Sequence, residues 1–238
     1  NNRYTISGTI PKRKDRYSLY LSIARPDSLF ITDLQEKFQT AGIEVKNSNL
    51  GQLPETTWFH YPSDYLGDIV HSLNVRSDNL YAESVLRLLS LSDHEKGSAE
   101  KGIDIIRKYW QNYEADSLEL FMYDGSGLAR NNKVSAKYLN CVLKETARDS
   151  LIGEYFVQTL PLAGKEGSVA TFMKHGELPG ELRLKSGSMS DVHAYAGYYT
   201  TPQNRYAIVV MINNYTCTRA QLKQKISTLL TQVLSKKE

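Results

Sequence analysis

The sequence has few of the residues that would assign it to a functional class at once. Only two residues are cysteine, Cys141 and Cys217, and two thiols neither define a disulfide framework nor make a metal site. We expect both thiols to be buried among apolar side chains. The 5 histidines are scattered without a His-Glu-x-x-His or other ligand spacing, which argues against zinc catalysis.

Long apolar runs and a large excess of one charge are also absent. No stretch approaches the roughly 18 apolar residues that a membrane span needs. The formal net charge is +3, and no basic stripe accompanies a base-stacking motif, so we expect no nucleic-acid partner. Residues 1–5 contain no Met and no apolar signal-peptide core, and we expect this start to be internal to a longer protein.

The sequence does contain a mixture of helical and strand periodicities, which is typical of an α/β (α+β) chain. Apolar residues make up 41% of it and charged residues 23%, as in folded globular proteins. In the first part we predict strands at 3–10 and 17–24, a helix over 28–41 that Gly42 ends, and extended or loop structure over 43–60.

After residue 60 the pattern changes to helices and then returns to strands. Helices are predicted over 66–73, from Leu80 onward, over 103–113 and over 138–143, with a turn at 74–77. Strands at 181–189, 193–200 and 205–213, separated by short turns, predict an antiparallel meander. The unbroken apolar run of the third predicts a strand covered on both faces. A closing amphipathic helix follows from the spacing of Leu222, Ile226, Leu229, Leu230 and Val233.

Two short motifs gain meaning because they occur together. Ser77-Asp78-Asn79 falls at the predicted turn between helices, and Lys185-Ser186-Gly187-Ser188 ends the first strand of the meander. Alone, the first most often caps a helix and the second most often forms a turn. Penicillin-recognising enzymes use Ser-x-x-Lys, Ser-x-Asn and Lys-Thr/Ser-Gly, so the order and setting of these two favour a functional pair.

Four stretches in order extend this pattern, namely SDNLYAE at 77–83, YDGSGL at 123–128, LPLAGKEGS at 160–168 and LKSGS at 184–188. They resemble successive signatures of the class C low-molecular-mass penicillin-binding proteins, which are D-Ala-D-Ala carboxypeptidases and endopeptidases of the bacterial cell envelope. The resemblance implies the penicillin-binding transpeptidase fold, an antiparallel sheet packed by helices, over 61–238. Residues 1–60 would then be the remnant of an accessory domain that this family inserts between its first and second motifs.

The resemblance implies catalytic roles for three residues. Ser77 would relay a proton toward the leaving amine. Asn79 would hydrogen-bond the substrate amide and the lysine of the nucleophile motif. Lys185 would place a compact positive charge near Ser77 and near the substrate's terminal carboxylate.

Five further residues are candidates for substrate binding. Ser186 would donate its hydroxyl to the carboxylate, Gly187 would let the substrate approach the strand, and the Ser188 N–H would donate to the oxyanion. Asp124 and Ser126 are candidate contacts at the cleft rim, with a purely loop-shaping role as the open alternative.

The resemblance also implies partners and a location. The partners are stem peptides ending in D-Ala-D-Ala and β-lactams, which mimic that terminus, and the location is extracytoplasmic in the bacterial cell envelope. No metal or cofactor is implied. The residues do not separate carboxypeptidase from endopeptidase action, because both use the same motifs.

The nucleophile motif of the family is missing before Ser77. The chain's one Ser-x-x-Lys begins at Ser98 and follows Ser-Asp-Asn, in the wrong order. We interpret Ser98 as a helix cap, with Glu100 favouring the helix dipole in the first turn. Gly-x-Ser-x-Gly is absent as well, so an α/β-hydrolase elbow at Ser126 is not supported.

Two explanations of the missing nucleophile stay open. Either it lies in an N-terminal half outside this sequence, or the parent is a degenerate member that binds peptidoglycan or acts as a scaffold. An esterase or β-lactamase on the same fold is a third, less favoured reading. On the first explanation, we expect the chain alone to be unstable, or to pair with the missing half or with a second copy.

Overall fold

The computed structural model describes residues 5, 7–9, 23–45, 60–91, 96–113, 115–173 and 178–236. The chain divides into two compact units, Asn1–Tyr61 and Pro62–Glu238. The strands predicted at 3–10 and 17–24 and the loop predicted at 43–60 lie largely outside the described residues. Within the described ranges, none of the helices is both long and apolar enough to cross a membrane.

Helix α1, Pro26–Thr40, is the regular element described in the first unit. Pro at the first helical position suits the start of a helix, since its fixed φ is already helical. The helix ends as predicted at Gly42, whose φ is +74°. The Ile43 N–H donates to the Phe38 carbonyl at 2.8 Å, which closes the last turn in the manner of a Schellman motif.

The described part of the second unit combines helices with two antiparallel sheets. Its described helices are α2 (Leu66–Arg76), α3 (Asn79–Leu88), α4 (Ala99–Trp110), α5 (Ala136–Arg148), α6 (Gly153–Thr159) and α7 (Arg219–Leu234). Its strands are β1 (Leu120–Phe121), β2 (Lys133–Val134), β3 (Glu181–Met189), β4 (Val192–Thr200) and β5 (Arg205–Asn213). Strands β1 and β2 form a short pair, and the other three form a sheet in the order β3–β4–β5. The predicted meander is therefore confirmed.

Side chains that alternate along the three-stranded sheet pack into two hydrophobic cores, one on each face. On one face Leu182, Leu184 and Tyr195 pack with Leu222 and Ile226 of α7. On the other face Tyr198 packs with Leu143 of α5, with Val157 of α6 and with the adjoining Leu160. Each fully buried aliphatic side chain in such a core stabilises the fold by about 1.5–3 kcal/mol. The result is a sheet between helical layers, as the fold prediction required.

Several local predictions were wrong. Helix α2 continues to Arg76 through the predicted turn, because Asn74 is buried and its Nδ2 donates to Thr159 Oγ1 at 2.9 Å. Helix α6 was not predicted. In α7, Leu229 and Val233 are about half exposed, at 52% and 48%.

Strand β5 and the two cysteines are less buried than the sequence predicted. Strand β5 packs side chains against both cores, as predicted, but residues 205–212 stay half-buried. Among the described strands only β4 pairs with it. Cys141 and Cys217 are free and half-buried rather than buried. Cys217 lies against the core shared with α7, and Cys141 lies against a separate cluster formed by Ala115, Leu120 and Tyr138.

Candidate active site

Ser77 lies in the tight turn where α2 ends and α3 begins. Its φ of +56° is left-handed, a conformation that costs free energy for any residue with a Cβ and recurs at functional sites. Its N–H donates to the Leu73 carbonyl, which closes α2. The Asp78 carboxylate then accepts the Tyr81 N–H at 3.0 Å and caps α3. Two helix ends therefore fix where the Ser77 hydroxyl points, and they explain Asp78 without a catalytic role.

Lys185, 108 positions further along the chain, reaches this hydroxyl. Its Nζ donates to Ser77 Oγ at 2.7 Å and to the Ser186 carbonyl at 3.0 Å. Burial lowers the pKa of Lys185, because desolvation disfavours the charged ammonium. Among the described residues no carboxylate pairs with it. The ammonium is therefore available to an anionic ligand.

The outer edge of β3 is paired in its first half and open in its second. The Leu184 N–H donates to the Pro161 carbonyl at 3.0 Å, and the Ala163 N–H donates to the Leu182 carbonyl. Because alternate residues of a strand direct their backbone groups to the same side, those of Ser186 and Ser188 face that edge too. No described strand pairs with them there. An extended peptide can therefore add to this edge.

Gly187 lies in this open stretch of β3, and packing against the described residues does not require a glycine there. A Cβ built there would meet only the Ala194 Cβ, at 4.0 Å. By contrast, a Cβ on Gly197 in β4 would fall 2.0 Å from the Arg183 carbonyl oxygen, so packing does require that glycine. Among the described residues, no other atom occupies the space over Gly187.

Ser188 is paired across the sheet with a buried histidine. His193 lies opposite it in β4, is 2% exposed and has its Nδ1 3.2 Å from Ser188 Oγ. Burial lowers the pKa of His193, and the nearby charges of Lys223 and Arg219 lower it further. The ring is therefore held in the neutral form, which can accept or donate at Nδ1.

The loop at 123–128 is held against α3 by Glu83. The Glu83 Oε1 accepts the N–H groups of Gly125 and Ser126, both at 3.0 Å. A Cβ on Gly125 would fall 2.5 Å from the Ala82 carbonyl oxygen, so only glycine allows this approach. Glu83 follows Asn79 by one helical turn, which places this loop at the same helix as the Ser-Asp-Asn motif.

Asp124 is used inside this loop. Its carboxylate accepts the N–H groups of Gly127 and Ala129 at 2.9 and 2.6 Å and the Asn132 amide at 2.7 Å. Burial acts to raise the pKa of Asp124, but these hydrogen bonds outweigh it and the net shift is downward. The carboxylate shapes the loop, and substrate contact by Asp124 and Ser126 stays a prediction.

A cavity of about 620 Å³ joins this loop to the open half of β3. Asp124, Gly125 and Gly127 line one side, and Gly187 and Ser188 line another. Ser77, Asn79 and Lys185 are not among its lining residues. The structure thus brings together Ser77 with Lys185, and separately the loop with Gly187 and Ser188. Asn79 opens α3 with an exposed side chain.

Ser98 has the role that the sequence predicted. It is the N-cap of α4, and its hydroxyl accepts the Lys101 N–H at 3.4 Å. Its backbone carbonyl accepts a hydrogen bond from the Ser90 hydroxyl at 2.9 Å, and its N–H donates to Ser90 Oγ at 2.8 Å.

Three residues near the site were missed by sequence reasoning, namely Glu83, Ser168 and His193. Glu83 and Ser168 both lie in signature stretches, at 77–83 and 160–168, and the spacing of Glu83 from Asn79 places these two on the same helix face. Ser168 accepts a hydrogen bond from the Ser186 hydroxyl at 2.7 Å. This contact is tertiary, and no local pattern signals it. His193 is only five positions from Ser188 and faces it across the β3–β4 hairpin.

Comparison with known proteins identifies the family of this chain. The family model described as D-Ala-D-Ala carboxypeptidase 3 (S13) matches residues 1–236. The chain is 26% identical over 239 residues to the D-alanyl-D-alanine carboxypeptidase DacB of Haemophilus influenzae, covering 97% of this chain and 49% of that protein. It is 24% identical over 226 residues to the D-alanyl-D-alanine carboxypeptidase of an Actinomadura species, covering 90% and 42%. The chain thus spans about half the length of the curated relatives it matches.

Solved structures show the same fold at low identity. Penicillin binding protein 4 of Haemophilus influenzae superposes with a TM-score of 0.72 at 23% identity, covering 90% of this chain and 50% of that one. A predatory endopeptidase of Bdellovibrio bacteriovorus, acylated by penicillin G, superposes with a TM-score of 0.56 at 16% identity, covering 91% and 60%. The predicted fold is confirmed, and so is the family expected from the four signatures. This chain belongs to the D-Ala-D-Ala carboxypeptidase 3 (S13) family of low-molecular-mass penicillin-binding proteins.

Proposed function

We propose that this chain supplies the Ser-Asp-Asn and Lys-Ser-Gly side of a serine-type D-Ala-D-Ala carboxypeptidase site. The observation that carries the proposal is the 2.7 Å hydrogen bond between Lys185 Nζ and Ser77 Oγ. It joins a strained helix–helix turn to the edge of a sheet. A lysine with a lowered pKa in contact with a serine hydroxyl is suited to moving a proton.

In this proposal, a serine outside the 238 residues attacks the carbonyl carbon between the two terminal D-alanines. The C–N bond breaks, Ser77 passes a proton to the leaving amine, and an acyl-serine remains until water hydrolyses it. The Ser188 N–H, at the open edge of β3, stabilises the oxyanion. Lys185 and Ser186 bind the terminal carboxylate, and Asn79 binds the substrate amide.

The proposed substrates are peptidoglycan stem peptides, and β-lactams acylate the same serine. The proposed location is extracytoplasmic, in the bacterial cell envelope, where these peptides occur. The open edge of β3 supports this substrate class, because it can pair with the backbone of only a short peptide end. The DacB relative from Haemophilus influenzae is named for D-alanyl-D-alanine carboxypeptidase activity.

Intact-mass spectrometry of the complete gene product after incubation with benzylpenicillin tests this function. We expect one penicilloyl adduct, mapped to a serine outside residues 1–238, and roughly 10- to 100-fold slower acylation after Lys185→Met, from the loss of a charged hydrogen-bond partner. Ser235→Ala, at the exposed end of α7, is the matched control. An adduct at Ser98 would contradict the assignment of the site.

A second candidate function is a non-catalytic protein that binds peptidoglycan on the same fold. One observation favours it: the serine of the chain's one Ser-x-x-Lys motif, Ser98, is the N-cap of α4. Under this alternative the folded gene product forms no adduct with benzylpenicillin, yet it still retains isolated peptidoglycan in a pelleting assay. The two functions are therefore separated by the same mass measurement.

A further inference from the structure

Ser168 stands beside the Lys-Ser-Gly strand although it is 18 positions away from Ser186. The Ser186 hydroxyl donates to Ser168 Oγ at 2.7 Å. Ser168 is exposed and Ser186 is partly exposed, so solvent and ligands can reach this pair. Among the described residues the Ser168 hydroxyl has no acceptor of its own. Its proton is therefore free to bind a ligand.

The turn that carries Ser168 is rigid. Gly167 has a φ of +50°, and a Cβ there would fall 2.2 Å from the Val75 carbonyl oxygen, so the turn lies directly on the end of α2. Val169, on the other side of Ser168, is completely buried. The Gly164 N–H donates to the Val169 carbonyl at 3.0 Å. Ser168 is thus held between the last residues before Ser77 and the strand that carries Ser186.

The position of Ser168 complements that of Lys185. Consecutive strand residues direct their side chains to opposite faces, so Lys185 and Ser186 lie on either side of the open edge of β3. An anion at this edge therefore meets the ammonium on one side and two neighbouring hydroxyls on the other. A carboxylate has two oxygens, and each can accept a charge-assisted hydrogen bond from one hydroxyl.

We propose that Ser168 is a specificity-determining residue that binds the terminal carboxylate of the substrate together with Ser186. The proposal rests on the proposed function and names a further contact in the same site. On binding, the Ser186 hydroxyl turns from Ser168 to the carboxylate, and the Ser168 hydroxyl donates to the second oxygen. The site thereby prefers a peptide with a free carboxylate over one with a blocked end.

The test compares two ligands in three versions of the complete gene product. The ligands are an acetylated Lys-D-Ala-D-Ala peptide and its C-terminal amide, and the versions are wild type, Ser168→Ala and Ser168→Thr. Equilibrium binding is measured calorimetrically at 5 °C, and kcat/KM is measured by release of D-Ala from the acid. We expect Ser168→Ala to weaken binding of the acid roughly tenfold and that of the amide less than twofold.

The threonine variant separates a binding role from a structural one. Threonine keeps the hydroxyl, so we expect Ser168→Thr to retain the preference for the acid. Equal effects of Ser168→Ala on acid and amide, or no effect on either, would overturn the proposal. If wild type binds the acid selectively but releases no D-Ala, the proposed function fails while Ser168 is still judged by the binding data. An unchanged Tm of Ser168→Ala shows that the effect is local.

Discussion

The substitution Gly167→Ala tests the contact between the turn that carries Ser168 and the last turn of α2. In Gly167→Ala the left-handed φ of +50° costs about 1–2 kcal/mol for an L-residue. The new methyl group also falls 2.2 Å from the Val75 carbonyl oxygen. This neighbour is backbone in the last turn of α2, so it cannot rotate away, and overpacking of this kind costs about 1–3 kcal/mol. The expected total is about 2–5 kcal/mol.

Gly127→Ala is the matched control for this change. Its φ of +77° imposes the same backbone cost, but nothing lies within 4 Å of the added Cβ. Urea unfolding of both variants, fitted with a common m-value, gives the difference in the free energy of unfolding. We expect Gly167→Ala to be less stable than Gly127→Ala by about 1–3 kcal/mol, and to be acylated more slowly by benzylpenicillin. Equal stability of the two variants would show that the turn and α2 are not rigidly in contact.

Three further predictions concern the strand edge and its neighbours. The free protein has room for the methyl group of Gly187→Ala, so we expect an unchanged Tm. We expect stopped-flow kinetics to show acylation slowed at least about tenfold, and a parallel fall in Tm would contradict this prediction. Burial lowers the pKa of Lys185 in the folded state below its ordinary value of 10.5. The free energy of unfolding of the wild type should therefore rise as pH rises from the folded pKa toward 10.5, and Lys185→Met should lose this rise when Tm is measured over pH. The pKa of His193 is lowered below 6.5, so stability should fall as pH falls from 6.5 toward the folded pKa; His193→Gln should flatten this part of the Tm profile, and an unaltered slope would assign it to other groups.

The sequence predicted elements with strong periodicity better than short or tertiary ones. The three strands of the meander were placed to within a residue, because each is long and bounded by turn residues. The turn predicted at 74–77 begins at Asn74. In the structure it stays helical, since its amide has a buried partner in Thr159, 85 positions away. Helix α6, with seven residues, is too short for a periodic signal.

The contacts of the candidate site also divide into those that the sequence predicted and those that it did not. The resemblance to the penicillin-binding proteins implied that Lys185 lies near Ser77, and the structure brings the two side chains together. The contacts of Ser168 and His193 depend on which residues the fold places opposite Ser186 and Ser188. No spacing within the chain encodes the contact of Ser168, so only the folded structure could identify it. His193 is five positions from Ser188, and its contact depends on the exact register of the β3–β4 hairpin.

The half-paired edge of β3 also bears on aggregation. An open strand edge invites other chains to add strands, and proteins blunt such edges by making them short or by placing lysine there. Here the segment at 161–163 occupies the first half of the edge, and the Lys185 ammonium binds the Ser186 carbonyl at the start of the rest. The part that stays open, around Ser186 and Ser188, is short, and a short open edge is less prone to pair with another sheet. The lysine that the proposed reaction requires would therefore also help to keep the protein from polymerising through its own active site.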